Sequence, residues 1–258
     1  MYPILNDSDL KMLYDTSYLK PVSEGFEETP QTNECENSSK GWKYSLGYLK
    51  SCSEKPLKVL DFGCGPNSPL LRLARELGHH AIGVEFEAEV CEIAEKNTGV
   101  MVQSYSEFLN SDELYDFVFL GDVLEHLSPP EKTIEILKGK LELGGKLVIQ
   151  GPLEGGFSIF NLALGILARM SGRETDQPPF HVSFANMNSL EKLMRSHGMH
   201  LDYRKISHVY WPAPGPRELL NNFSLRGLIL FILQFSDAIA SKMIKNYGNR
   251  FFLVASIK

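Results

Sequence analysis

The sequence predicts an α/β protein built on a doubly wound, mostly parallel sheet with helices on both faces. Short apolar runs alternate with segments of helical period, two of the runs end in a carboxylate, and glycine or proline separates successive elements. A chain of 258 residues with 43% apolar and 22% charged residues can bury one core of this kind, which excludes a disordered or fibrous chain.

The first strand is Lys58-Val59-Leu60-Asp61-Phe62, an apolar run that reaches a carboxylate and then the glycines Gly63 and Gly65. Leu70, Leu73, Ala74 and Leu77 follow at helical spacing, and Gly78 stands where a helix C-terminal glycine belongs. Ala81-Ile82-Gly83-Val84-Glu85 repeats the design of strand plus acid, and Val90, Ile93 and Ala94 supply the next helix face, completing a βαβ unit. A weaker strand over residues 100–104 leads to Asp116-Phe117-Val118-Phe119-Leu120-Gly121, long enough for a buried parallel strand.

Ser128-Pro129-Pro130-Glu131 predicts a helix start with Ser128 as cap and Glu131 completing a capping box, and Ile134, Leu137 and Leu141 give its buried stripe. Gly144-Gly145 predicts a turn into the strand Lys146-Leu147-Val148-Ile149-Gln150. Beyond it lie an apolar segment, 157–170, a proline-rich loop at Pro178-Pro179, and a helix carrying Leu190, Leu193 and Met194. Two closing strands, near 201–210 and 251–257, flank an apolar helix over 219–240, and Tyr247-Gly248-Asn249 turns the chain into the last strand. That makes seven strands in all, with ligands expected at their C-terminal ends.

Several functions are disfavoured by composition. A formal charge of −6 without a Lys/Arg cluster argues against nucleic acid as a partner. Cys35, Cys52, Cys64 and Cys91 lack C-x-x-C spacing, so neither a metal site nor a disulfide framework is expected. The acidic start, with Asp7 and Asp9, does not read as a signal peptide, and Arg226 and Asp237 bracket too short an apolar run to span a bilayer. A cytoplasmic protein is therefore expected. Residues 23–40, poor in apolar side chains, read as a loop or lid.

The chemistry sits in Asp61-Phe62-Gly63-Cys64-Gly65, where residues without side chains let backbone approach a ligand. Glu85, at the end of the next strand, is placed to accept both hydroxyls of a ribose, so an adenosine-containing cofactor is expected. These residues resemble the class I S-adenosylmethionine (SAM) dependent methyltransferases. The likeness runs on through Asp122-Val123-Leu124-Glu125-His126-Leu127 and Leu143-Gly144-Gly145-Lys146-Leu147-Val148-Ile149, covering roughly residues 57–151. A looser match at Phe180-His181-Val182-Ser183-Phe184 is similar to the small-molecule branch related to ubiquinone and sugar methyltransferases.

The resemblance implies a Rossmann-like, seven-stranded sheet with an antiparallel terminal strand. The termini resemble nothing specific, and the chain is expected to divide into an N-terminal helical or lid segment, 1–52, and a methyltransferase domain, 53–258, with apolar helical insertions near 157–170 and 219–244. The resemblance further implies that the turn Asp61 to Gly65, Cys64 included, cradles the methionine end of SAM, with Asp61 acting through water on the ammonium. Glu85 would hold the ribose, Phe86 would pack on adenine, Tyr105 and Ser106 would lie at the adenine edge, and Gly121 and Asp122 would border the methionine. Tyr105 stands where many relatives have aspartate, which passes that contact to Ser104 or backbone, and Asn67 replaces a third glycine, a position where asparagine tolerates left-handed backbone.

Methyl transfer from a sulfonium is an in-line displacement that positioning and desolvation can accelerate, so no nucleophilic residue is compulsory. The acceptor atom is an oxygen, nitrogen or carbon; should an oxygen acceptor need a base, His181 and then His126 are the candidates, against the plainer reading of His126 as a helix-initiating residue. The expected acceptor is a small molecule such as a sugar or quinone precursor, and S-adenosylhomocysteine (SAH) is the product. The competing readings are a dehydrogenase, a non-catalytic interaction module on the same fold, and a methyltransferase for a lipid-linked acceptor at a membrane surface. Cys64 is expected to pack beneath the turn, the apolar stretches to cover a pocket or join the core, and Tyr14, Tyr18, Trp42, Tyr44 and Tyr48 to pack an N-terminal helix in preference to closing as an aromatic lid.

Overall fold

The computed structural model describes residues 34–52, 55–153, 183, 185–208, 216–221, 223–244 and 247–257. Helix α1 (Glu34–Ser51) leads into β1 (Lys58–Phe62), α2 (Pro69–Glu76), β2 (His80–Glu85), α3 (Ala88–Thr98), β3 (Val102–Ser104), α4 (Tyr105–Asn110) and β4 (Tyr115–Gly121). A 3-10 turn (Leu124–His126), α5 (Pro130–Gly139), β5 (Leu141–Pro152), α6 (Met187–Ser196), β6 (His200–Ser207), α7 (Pro216–Asn221), α8 (Leu225–Met243) and β7 (Arg250–Ser256) follow. The order in the sheet is β3-β2-β1-β4-β5-β7-β6, with β7 antiparallel to both of its neighbours. This is the seven-stranded doubly wound sheet expected from the sequence. Strand order reverses between β1 and β4, whose pairing in register (Phe62 opposite Leu120) opens a crevice at their C-terminal ends.

One core cluster joins Leu60, Phe62, Val118, Leu120 and Ile149 to Ile134 and Leu137 of α5 and Met194 of α6. On the other face, Val59, Phe117, Phe119 and Val148 meet Leu70 and Ala74 of α2 and Leu49 of α1. Tyr44 and Tyr48 lie against Phe252, and Tyr48 also against Phe117, at centroid distances near 6 Å. These two tyrosines are core packing, as expected; Tyr14 and Tyr18 lie outside the described residues. A further tie is buried, where the Ser45 hydroxyl donates to Oε1 of Gln150 on β5. Of the polar stretch 23–40, expected as a loop or lid, residues 34–40 belong to α1, and residues 23–33 lie outside the described residues. Packing of the helix's apolar C-terminal half against the sheet carries the helical turn back into residues that cannot nucleate it alone.

Three local expectations are corrected. The capping box at Ser128 does not form: α5 starts at Pro130 with Pro129 in the cap position, so Glu131 falls one place too early to reach back. Gly144 and Gly145 do not precede β5 but lie inside it, at an irregularity where the pairing with β4 shifts between Tyr115 and Phe117. A Cβ at Gly145 would lie 2.8 Å from the Glu142 carbonyl oxygen, so the residue is there for close backbone approach within a bulged strand. The apolar run 219–240 joins the core only in part: Leu219 and Ala240 are buried, while α8 turns a row of apolar side chains outward.

No helix among the described residues is long and apolar enough to cross a membrane.

Candidate functional site

The crevice between β1 and β4 is framed by the bend after β1. Gly63 and Gly65 take positive φ, 70° and 62°, which a residue with a side chain adopts only at a cost. Both the Gly63 and the Cys64 amide donate to the Val84 carbonyl, at 2.8 and 3.2 Å. The bend is therefore bonded to the residue before Glu85, and the two halves of the predicted site come together. Asn67 is not in the left-handed region: among the described residues that are not glycine, only Asp122 has positive φ. The bend has already been closed by the two glycines, and Asn67 instead accepts from Asn97 and from Arg72.

Asp61 is fully buried. Its Oδ2 accepts from the Ser68 hydroxyl at 2.5 Å, while Ser68 Oγ itself caps α2 by accepting from the Leu71 amide. One serine thus fixes both the helix start and the carboxylate rotamer. Burial pushes the Asp61 carboxyl up to about 7, against the lowering effect of the Ser68 hydrogen bond. Glu85 is likewise pushed up to about 7, first by burial and then by the neighbouring Asp61 charge, with the Phe86 amide acting in the opposite sense. Asp61 Oδ1 and Glu85 Oε2 are both buried with no hydrogen-bond partner among the described residues. Such oxygens are open to donors from a ligand or from water.

Next to Glu85, Phe86 is 48% exposed, unusual for a phenylalanine beside a crevice. Its ring lies 4.8 Å from that of Tyr105 and edge-on to Phe62 at 5.7 Å, making an aromatic wall at the ends of β2 and β3. Ser104 is committed to the capping box of α4, accepting from the Glu107 amide and donating to its carboxylate, while Ser106 lies exposed beside it. Cys64 points beneath the bend, its sulfur close enough to sit 2.9 Å from a Cβ built at Gly83, and burial raises its thiol far above the ordinary range. It can offer a ligand backbone, not sulfur.

On the β4 side, a Cβ at Gly121 would meet the Trp42 ring at 2.3 Å, so α1 lays an indole directly against the strand end. Asp122 follows with φ 57°, a strained geometry held by the Arg250 guanidinium, which donates to its carboxylate at 2.5 Å, and by its own amide donating to the Gln150 carbonyl. Glu125 is buried and His126 half-buried in the 3-10 turn that follows, and the Glu125 carbonyl accepts from the Ser183 amide. His181, Phe180 and the segment 157–170 lie outside the described residues.

Sequence reasoning missed Ser68 and Arg250, and it placed Trp42 in a packing helix without its contact at Gly121. Ser68 was within reach, since a serine before Pro69 is a helix-cap signal. Arg250 and Trp42 were not, because their partners lie far away in the chain.

Against known proteins, a family model described as a methyltransferase domain matches residues 43–203, more than half of the chain. An uncharacterized protein of Methanocaldococcus jannaschii is 38% identical over 69 residues, which is 26% of this chain and 34% of that relative. The match thus spans about a third of the length of that curated relative. Among solved structures, magnesium protoporphyrin IX methyltransferase from Synechocystis PCC 6803 with bound SAH superposes with a TM-score of 0.62 at 13% identity, covering 98% of this chain and 100% of that one. A plantazolicin methyltransferase, solved with a pentazolic desmethyl analog and SAH, gives a TM-score of 0.55 at 14% identity, covering 96% and 95%. With the strand order, the glycine bend and the matched residues agreeing, the chain belongs to the methyltransferase domain family and has the class I SAM-dependent methyltransferase fold.

Proposed function

We propose that this enzyme transfers a methyl group from SAM to an oxygen, nitrogen or carbon of a small-molecule acceptor, leaving SAH. The observation that carries the reading is the pair of buried carboxylates, Asp61 and Glu85, each with an oxygen lacking a partner, converging on a glycine bend beside an exposed aromatic. That set fits a ligand bearing an ammonium, two vicinal hydroxyls and a flat base. When bound, SAM supplies an electrophilic methyl on a sulfonium with a good leaving group.

Glu85 accepts from the ribose hydroxyls, and Asp61, enclosed behind Ser68, acts on the ammonium through a water. Phe86 and Tyr105 give the adenine an apolar wall, with Ser106 at its edge. The backbone of Gly63, Cys64 and Gly65 lies along the methionine portion, and Gly121 and Asp122 border it from β4. A proton released by an acceptor hydroxyl passes to an imidazole nitrogen of His181 or, failing that, His126. The reaction takes place in the cytoplasm, where thiols such as Cys64 and Cys91 stay reduced. The small-molecule class is supported by the similar folds that act on magnesium protoporphyrin IX and plantazolicin.

Calorimetric titration with SAH tests the core of this reading: saturable binding is expected, weakened about tenfold or more in Glu85→Ala through loss of the charge-assisted hydroxyl contacts. Absence of binding at millimolar ligand in folded protein would sink it. Once an acceptor is identified by SAH release, His181→Ala is expected to lower kcat while leaving SAH affinity unchanged. Unaltered turnover would remove His181 from the mechanism.

A further inference from the structure

Helix α8 is built inside out. Its buried positions include Gly227, Gln234, Asp237 and Ala240, and Tyr247 donates its hydroxyl to the Asp237 carboxylate beneath the helix. Its solvent side carries Leu225, Ile229, Ile232, Phe235, Ile239 and Met243, all exposed, with Leu225 and Met243 at 70% and 80%. Spacings of three and four residues set these six on one stripe of the helix. Leu220 at the end of α7 and Phe223 in the connection extend exposed apolar surface at the N-terminal end of α8. A helix in water arranges its residues the other way round, so the outer face of α8 is matched to an apolar medium.

Charge selects among the media. The helix has one acid, Asp237, and it is turned inward, while Lys242 is exposed beside the stripe. Across residues 216–246 there are four Lys or Arg against two Asp or Glu, within a chain whose formal charge is −6. An anionic bilayer surface satisfies both the stripe and its cations. The helix has 19 residues, about 28 Å at the usual rise, and no described helix can cross a membrane, so α8 fits a position lying in the interface plane.

We propose that the outer face of α8 seats this enzyme on the surface of an anionic lipid bilayer, with the aliphatic stripe in the headgroup and upper acyl region. The inference does not depend on the methyl donor or acceptor.

Co-sedimentation of the full chain with vesicles tests it, comparing phosphatidylcholine alone with phosphatidylcholine containing phosphatidylglycerol. Binding is expected to be at least about fivefold stronger to the anionic vesicles, and to fall about tenfold in the double variant Ile232→Glu, Ile239→Glu. Both positions are exposed, so folding and SAH titration of the double variant should match the parent. Lys242→Glu is expected to reduce the preference for anionic vesicles. No sedimentation with anionic vesicles, equal binding to both kinds, or binding unaffected by the double variant would each overturn the proposal. So would a parent dimer in light scattering that the double variant converts to monomer, which would assign the stripe to a second copy. Retained SAH affinity alongside any of these outcomes leaves the proposed activity standing.

Discussion

Asp61→Asn is expected to make the ligand-free protein more stable above pH 7 while largely abolishing cofactor binding. The Asp61 carboxyl, with an ordinary value of 3.8, is pushed up to about 7 by burial. A carboxyl whose folded value exceeds its unfolded one binds its proton more tightly in the native state. Its stabilising contribution is therefore fully present below about pH 4 and is lost as pH rises through about 7. Above that range the native state carries a buried charge, at a cost of up to about 4 kcal/mol. Asparagine keeps the acceptor for Ser68 and removes the charge, but it brings a buried amide N–H2 that costs about 1 to 3 kcal/mol if unmet. The net gain at pH 8 is thus about 1 to 3 kcal/mol, and it turns into a loss of about 1 to 3 kcal/mol towards pH 4, where the parent carries no buried charge.

Urea denaturation of parent and variant from pH 4.5 to 8.5 reads this as a stability difference that moves in favour of the variant as pH rises. A difference that stays constant or moves the other way would show that Asp61 is not held charged against its environment. The same variant should lose about 100-fold or more in SAH affinity, since a ligand ammonium favours the ionised carboxylate. For the parent, SAH affinity should accordingly rise with pH up to about 7 and then level off. Glu85, also pushed up to about 7, adds to the same trend. The site trades stability of the empty protein for affinity.

Gly63→Ala and Gly65→Ala are expected to fail in different ways. Both positions have positive φ, which costs an alanine about 1 to 2 kcal/mol. At Gly63 the new Cβ would also stand 2.6 Å from Cγ2 of Val123, adding an overpacking cost of about 1 to 3 kcal/mol. At Gly65 nothing lies within 4 Å of the new atom. Gly63→Ala should therefore lower stability by about 2 to 5 kcal/mol and Gly65→Ala by only about 1 to 2 kcal/mol. Gly65→Ala nevertheless adds a methyl in open space at the bend along which the methionine portion is proposed to lie, and SAH affinity should fall at least about tenfold in a protein that still folds. Equal destabilisation in urea by the two variants would contradict the assigned contact with Val123, and unimpaired SAH binding by Gly65→Ala would place the ligand elsewhere.

The parts of this fold that were readable in the sequence are those written in local pattern. The run Lys58 to Phe62, the carboxylate at its end, Gly63 and Gly65, and Glu85 one strand later all stand where the local code puts them. Gly78 ends α2 with φ 76°, as its position after Leu77 announced. What escaped was set by distant partners. The contact between Asp122 and Arg250 spans 128 residues, and no period or motif encodes it. Trp42 owes its place to the absence of a side chain at Gly121, a fit visible only once α1 lies on the sheet. Strand β5 runs on to either side of its apolar core because β4 and β7 supply ladder partners for residues that have little strand preference of their own. The outward face of α8 was misjudged for a related reason: hydropathy says that a segment is apolar, not which side of it meets water.

Strand β7 has a bearing on how the molecule is made. It sits between β5 and β6, pairing Lys146 to Pro152 on one flank and His200 to Ser207 on the other. Among the described strands β6 meets the sheet only through β7, so without Arg250 to Ser256 in place β6 is unpaired and β5 presents a bare edge. Attachment of β6 and protection of that edge are thus a single event, and the same seven residues serve as the keystone for both.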